Sequence, residues 1–408
     1  MLLYIDPGTG SMLFTVLIGI VSILYFFFQK MLIRIKTVIH GGRIEKKTGR
    51  YMPYVIYSDN KRYWNIFKPI CDIFEEKEIP MVYWTSSPDD PALSEDYRYI
   101  ERQYIGSINK AVTRLNVMNA GVCLSTTPGL DIYQWKRSKN VDRYVHILHM
   151  ANDASLYRMF GLDYYDSILL SGQFQADEIR AMEELRNLPE KELVMVGIPY
   201  MDVMKQRLEK TGRIKNKGIT VLLAPSWGPE GILKKYGDKI IDRLKDTGYD
   251  IIIRPHPQSF SSEKEMIDRL MKKYPDSEKL KWNRDNDNFE VLRKADIMIT
   301  DFSGVIFDYT LVYDKPVIYT AAKLDVSVYD AWWIKNKLWT IQILPKLGRE
   351  LNDENLPLLK DIIDESIIND RYEKGREEAR NDCWANPGKG ADKAAEYLIN
   401  LGNKKEKE

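Results

Sequence analysis

Short apolar runs and amphipathic stretches alternate along this 408-residue chain in two successive series. In the first, the runs from Tyr54 to Ser58, Pro80 to Thr85, Gly121 to Thr126, Tyr144 to His149, Tyr165 to Ser171 and Leu193 to Gly197 read as core strands. Helix-period segments lie between most of them, such as 61–77 and 175–188, the second with a Glu/Arg-rich outer face. Apolar content drops between Gln206 and Gly218, which predicts a linker. A second series follows, with strands expected from Ile219 to Ala224, Asp250 to Arg254, Asp296 to Thr300 and Pro316 to Tyr319. Helices are expected over 232–246, over 263–273 and from Ser303 onward. This is the rhythm of parallel sheets covered on both faces. The stretch 358–398 has a helical pattern that would cover the sheets or cross back between them, and Asn403 to Glu408 is expected to be disordered.

The first residues break the pattern. No charge occurs from Pro7 to Gln29, and a helix over this stretch would be about 35 Å long, enough to cross a bilayer core of roughly 30 Å. Asp6 precedes it, while Lys30, Arg34, Lys36, Arg43, Lys46 and Lys47 follow it. The expectation is one transmembrane anchor over 1–36, N-terminus outside, with the rest of the chain on the cytoplasmic face of the membrane. His40, Gly41 and Gly42 would belong to a linker behind it. Lys plus Arg number 60 against 59 acidic residues, so the global basic field of a nucleic-acid binder is absent. Three scattered cysteines with no CxxC spacing point to a reducing compartment and no zinc site.

Candidate chemistry sits where apolar runs stop abruptly, because in open α/β sheets ligands collect at the carboxyl ends of strands. One run ends in Arg254-Pro255-His256-Pro257. The prolines stop the strand and hold an imidazole and a guanidinium outward, where both can donate to phosphate oxygens; a loop histidine bonded to a carbonyl is the plainer alternative. Another ends in Thr300-Asp301-Phe302-Ser303-Gly304, which offers a hydroxyl, a glycine permitting close approach and the amides of a helix start. Asp301 could equally be an N-cap and Asp308 a charged helix face. Ser226, in Ala224-Pro225-Ser226-Trp227-Gly228, could line the same pocket or sit in a simple turn. His149, at the end of Val145-His146-Ile147-Leu148-His149, is the candidate general base, with His146 a core or supporting histidine. No GxxxxGK[ST], HExxH or GxSxG motif occurs, and Gly388-Lys389-Gly390 lacks the rest of a phosphate-binding loop. No metal cage is legible, so no protein-bound metal or cofactor is expected; a nucleotide-associated Mg²⁺ is compatible with that. The aromatic region of Tyr329, Trp332, Trp333 and Trp339 could stack a base or acceptor, pack internally, or lie near a membrane.

Four segments, in order, resemble the CDP-glycerol glycerophosphotransferase family of teichoic-acid primases and polymerases: Gly197 to Asp202, Ala224 to Trp227, Arg254 to Pro257, and Thr300 through Asp308 to Pro316. The resemblance implies a GT-B-like fold, two Rossmann-like α/β domains facing a cleft. Expected boundaries are 37–210 for the acceptor-side domain, 211–385 for the nucleotide-donor domain, and 386–408 for a C-terminal helix and tail. It implies that His256, Ser303 and the helix start at Gly304 hold the diphosphate and that His149 takes the place of the family's catalytic histidine. With the strand-end readings, the expected donor contacts are Ser226, Arg254, His256, Thr300, Asp301, Ser303, Gly304 and Asp308, and the expected catalytic residues are His149 and His256. It further implies glycerol phosphate transfer from CDP-glycerol to a lipid-linked or membrane-proximal saccharide or polyol, releasing CMP. Two positions depart from the family pattern, Met150 where glycine follows the histidine and Gly304 where a second serine is usual. A CMP- or UDP-sugar glycosyltransferase and a non-catalytic membrane scaffold or sensor are the alternatives.

Overall fold

The computed structural model describes residues 50–285, 287–334 and 337–405. The expected anchor, residues 1–36, lies outside them. Among the described residues no helix is long and apolar enough to cross a membrane.

The first series forms a seven-stranded sheet from β1 (Met52–Ser58), β2 (Met81–Thr85), β3 (Ile100–Tyr104), β4 (Asn119–Ser125), β5 (Asn140–Ile147), β6 (Ser167–Leu170) and β7 (Glu192–Met195), in the order β3-β2-β1-β4-β5-β6-β7. The second forms a six-stranded sheet from β8 (Thr220–Ala224), β9 (Asp250–Ile253), β10 (Leu280–Trp282), β11 (Ile297–Thr300), β12 (Val317–Tyr319) and β13 (Gly348–Glu350), in the order β10-β9-β8-β11-β12-β13. All pairings are parallel. Central strands such as β2 and β8 are buried along their whole length, which is why they read as unbroken apolar runs. The three strands without such a signal, β3, β10 and β13, are all edge strands, where one flank lacks a neighbour and polar residues are tolerated.

Each sheet carries a core on both faces. One face of the first sheet gathers Val55, Tyr57, Cys123, Tyr144 and Ile168; the other gathers Ile56, Phe67, Ile70, Val122 and Leu169 with Ala394, Ala395 and Leu398. The last three belong to the helix Gly390–Lys405, which returns to the first sheet. Burying its apolar stripe carries the helix to Lys405, so Asn403, Lys404 and Lys405 are helical where disorder was expected; 406–408 lie outside the described residues. Leu398 alone, once buried, contributes roughly 1.5–3 kcal/mol. Asp202 fastens this return, its carboxylate accepting from Trp384 Nε1 at 2.9 Å, Gly388 N at 2.7 Å and Gly390 N at 2.8 Å. Gly197, at φ +102°, leaves no room for a Cβ, which would lie 2.1 Å from the Ala385 carbonyl. Both glycine-containing segments therefore serve the architecture. The helix Pro199–Thr211 also runs into the expected linker, shortening the irregular crossover.

Loops of the two series are locked together. Asp153 accepts from Trp339 N at 2.5 Å, Thr340 N at 2.9 Å and Thr340 Oγ1 at 2.5 Å. Arg186 bridges Asp163 at 2.8 Å and Asp330 at 2.7 Å, out of solvent.

Candidate active site

Three neighbouring strands of the second sheet, β9, β8 and β11, end side by side, and Asp301 binds the loops that follow β8 and β11 into one unit. This carboxylate is fully buried and accepts from the amides of Ser226 (3.0 and 3.1 Å), Ile232 (2.9 Å) and Ser303 (3.1 Å). Thr300 donates to the Ala224 carbonyl at 2.6 Å and is equally sealed. Both were expected on the donor. Both instead hold the loops, because loop and helix-start amides with no ladder partner need an acceptor inside the fold. Ser226 is buried with them, its amide engaged and its hydroxyl unpaired.

His256 and Ser303 flank these straps on the loops after β9 and β11. Two strand spacings separate those strands, about 10 Å. The His256 amide donates to the Pro225 carbonyl at 3.2 Å, and its Nδ1 accepts from Gln258 N at 3.1 Å. That bond assigns the proton of the neutral ring to Nε2, the atom left to donate. Burial and then the charge of Arg62 hold this imidazole below its ordinary range. Arg254 donates to the Asn283 side chain, which fixes the guanidinium. Gly304 precedes the first helical turn, whose first bond runs from Ile306 N to the Ser303 carbonyl at 3.0 Å. Asp308 begins a π-helical turn over Asp308–Val312 and is buried rather than presented to the cleft. It accepts from Tyr200 Oη and from Asn288 Nδ2 at 3.3 Å, and burial raises its carboxyl to about 6. Asp308 thus ties the helix Pro199–Thr211 to the second half, so a reach toward ribose is not its arrangement here.

The opposing wall belongs to the first sheet. Because β5 ends at Ile147, both histidines reach one tyrosine: Tyr157 Oη lies 3.1 Å from His146 Nε2 and 3.4 Å from His149 Nδ1. Thr126 Oγ1 lies 2.7 Å from His149 Nδ1 and donates to the Ile147 carbonyl at 3.0 Å. A hydroxyl has one proton. With that of Thr126 on the carbonyl, its oxygen is left to accept from His149 Nδ1 at 2.7 Å, so that nitrogen carries the proton and the Nε2 lone pair is free. His146 is fully buried and burial drives its basicity far down, consistent with a supporting role. His149 is half-buried, its ring edge-on to Tyr63 at 4.9 Å between centroids. Burial and then Arg62 bring its pKa down to about 4.

Arg62 joins the two walls. It is exposed, stacks on the Tyr63 ring at 4.9 Å, donates to Tyr63 Oη at 3.0 Å, and its charge bears on both His149 and His256. It follows β1 on a short 3₁₀ turn capped by Asn60. The strand-end rule that singled out His256 and Ser303 would also have found it, but the helical period from Lys61 masked the signal. Thr126 and Tyr157, likewise missed, carry no sequence motif. Met150, next to His149, closes the gap to the second half: a Cβ built on Gly304 would sit 2.0 Å from its Cε. Gln175 Nε2 holds this loop by the carbonyls of Met150 (3.3 Å) and Asn152 (2.8 Å). Met150 and Gly304, the two departures from the family pattern, thus face each other. Beside them lies a largely apolar cavity of about 170 Å³, bordered by Asn152, Leu156, Phe302, Ile306, Tyr329 and Ile341.

Residues 162–332 match the model of the family described as CDP-glycerol:poly(glycerophosphate) glycerophosphotransferase. That match covers less than half of the chain, so it is a likeness of this segment to the glycerophosphotransferase family. No significant sequence match occurs among curated proteins. Among solved structures, the wall teichoic acid polymerase TagF with CDPG is similar at 16% identity over 86% of this chain and 89% of that chain, with a TM-score of 0.53. The UDP-GlcNAc 2-epimerases of Methanocaldococcus jannaschii (13% identity, 86% and 99% covered, TM-score 0.55) and Neisseria meningitidis (11%, 86% and 100%, 0.55) share the architecture as well. At these identities the likeness is one of fold, a GT-B-type pair of parallel sheets. Among the described residues, no group of three or more His, Cys, Asp or Glu side chains is placed to hold a metal.

Proposed function

We propose that the chain transfers glycerol phosphate from CDP-glycerol to a membrane-proximal or lipid-linked saccharide or polyol, releasing CMP. The observation that carries this reading is the cation Arg62 acting on both His149 and His256, with Met150 against Gly304, so that a base, two donors to phosphate and a helix start meet across one cleft. The family model, which spans the donor-side loops, supports the choice of donor. In this reading the diphosphate lies between His256 Nε2, Ser303 and the Gly304 helix start, with Arg62 over it.

The acceptor hydroxyl attacks the β-phosphorus in line. Its proton passes to His149 Nε2, the new O–P bond forms, and the bridging oxygen leaves with CMP. A free imidazole with a pKa near 4 is a weak base. A bound diphosphate would neutralise Arg62, remove one of the two causes of that depression, and strengthen the base once the donor is in place. Charge placement and orientation supply most of the rate in such a scheme, and a nucleotide-borne Mg²⁺ would share in the neutralisation.

The same strand ends suit a UDP- or CMP-sugar, and the fold shared with UDP-GlcNAc 2-epimerases keeps that donor class as the second reading. Calorimetry with CDP-glycerol, CDP, CMP and UDP, followed by CMP release in the presence of membranes, decides between them. Tightest binding of CDP-glycerol with CMP release supports the proposal. Preference for UDP, or no CMP release, rejects it.

A further inference from the structure

Phe160 holds φ at +67°, a backbone region that bulky L-residues rarely occupy, and it does so with its side chain 36% exposed. The strain is imposed by several contacts. Its amide donates to Asp330 Oδ1 at 2.8 Å, Met159 N donates to the Val328 carbonyl at 3.2 Å, and Arg158 pairs with Tyr329 as an isolated bridge. Underneath, the buried Arg186 that holds Asp163 and Asp330 also lies 5.4 Å from the Phe160 ring centroid. A strained residue so firmly over-determined marks a functional surface more often than an accident. Trp333, 40% exposed, sits 6.4 Å from that ring, and Trp332 is 63% exposed beside it; Val328 and Tyr164 are exposed as well. Arg158, Lys323 and Lys337 on the same segments are exposed, and no ion pair among the described residues engages them. Asp325 is the exposed carboxylate of this stretch, accepting from Ser327 N.

We propose that Phe160, Trp332 and Trp333 form a rigid platform that inserts into the headgroup zone of an anionic lipid bilayer. Aromatic rings with a polar edge settle at that depth, and uncompensated Arg and Lys add attraction to anionic headgroups. A second copy of the chain would have to cover three cations, Arg158, Lys323 and Lys337, against which this stretch sets only the carboxylate of Asp325, with Glu230 accepting from Lys323 N at 3.3 Å at its edge. The apolar run from Met12 to Phe28 in the sequence also favours a bilayer over a protein partner. Tyr329 belongs both to this loop and to the rim of the apolar cavity near Gly304, so a lipid-borne acceptor drawn up at the platform would arrive beside the cleft. This deepens the membrane-acceptor reading above and names the surface through which the acceptor is met.

The test uses the full chain with phosphatidylglycerol vesicles whose acyl chains are brominated near the headgroup. Of the nine tryptophans, Trp227, Trp332 and Trp333 are the exposed ones among the described residues. Tryptophan emission of the wild type should fall with brominated relative to plain lipid. Trp332→Phe/Trp333→Phe should lose most of that quenching, while Trp227→Phe keeps it. Quenching unchanged in the double variant, or lost only in Trp227→Phe, overturns the platform. Calorimetry with CDP-glycerol on the same samples separates the two ideas: quenching without donor binding would sink the transferase reading and leave the platform standing.

Discussion

The two walls of the cleft are made differently. On the second-sheet wall, backbone groups dominate: Asp301 gathers three amides from two loops, and the groups left to meet a ligand are His256, Ser303 and a helix start. On the first-sheet wall, side chains dominate, with Thr126, Tyr157, His146 and Tyr63 surrounding His149. Backbone straps resist substitution and suit a part of the substrate that stays constant, such as a nucleotide diphosphate. Side-chain networks can be retuned one residue at a time, which suits a wall that must deal with a proton and a variable acceptor.

That contrast can be broken first at its anchor. Asp301→Ala would orphan buried amides, each costing about 1–3 kcal/mol, so a loss on the order of 3 kcal/mol or more is expected. Chemical denaturation should show it together with loss of nucleotide binding; a variant of near-native stability would refute the strap. On the other wall, His149→Ala should lower kcat by about 10²–10⁴-fold and leave the donor affinity measured by calorimetry nearly unchanged. An equal loss of binding would move His149 to the donor side.

Arg62→Met tests the link between the walls. Donor affinity should weaken, and the acid limb of kcat/KM should move up from near pH 4 toward the ordinary imidazole value, because the charge opposing protonation of His149 is gone. A limb that stays in place would show that burial alone sets the base. Gly304→Ala should weaken the donor site by forcing Met150 aside, and Met150→Ala in the same chain should restore it. Failure of that rescue would mean that Gly304 matters for backbone approach and not for the methionine.

The smallest expected effect concerns Glu178, which accepts from Ser155 N at 3.0 Å. Burial and the neighbouring Asp153 push its carboxyl up to about 9, so the fold favours the neutral acid. The folded pKa exceeds the unfolded value, so this contribution is complete in acid and is lost as pH rises toward 9. Glu178→Gln should flatten the fall in Tm over about pH 5–9, and an unchanged slope would count against a neutral Glu178 in the fold.

Central strands and the strand-end positions of His256, Ser303 and His149 were legible, because a doubly buried parallel strand must be apolar throughout and must stop where the chain meets the cleft. Edge strands β3, β10 and β13 were not, since exposure removes the need for that pattern. Asp301 and Thr300 looked like ligand contacts because residue type reveals a polar group at a strand end but not which way it turns. Arg62 stayed hidden inside an amphipathic period, and Tyr157 and Thr126 have no local mark.

By itself the sequence determined the α/β rhythm, the two series and the strand ends at which chemistry could occur, all consequences of local burial and short-range backbone restriction. Only tertiary structure decided which polar groups face one another. Asp301 meets amides 75 and 69 positions earlier, at Ser226 and Ile232, and the Gly304 helix start meets Met150 from the other half. Such meetings depend on how the sheets are closed against each other, which no window along the chain encodes.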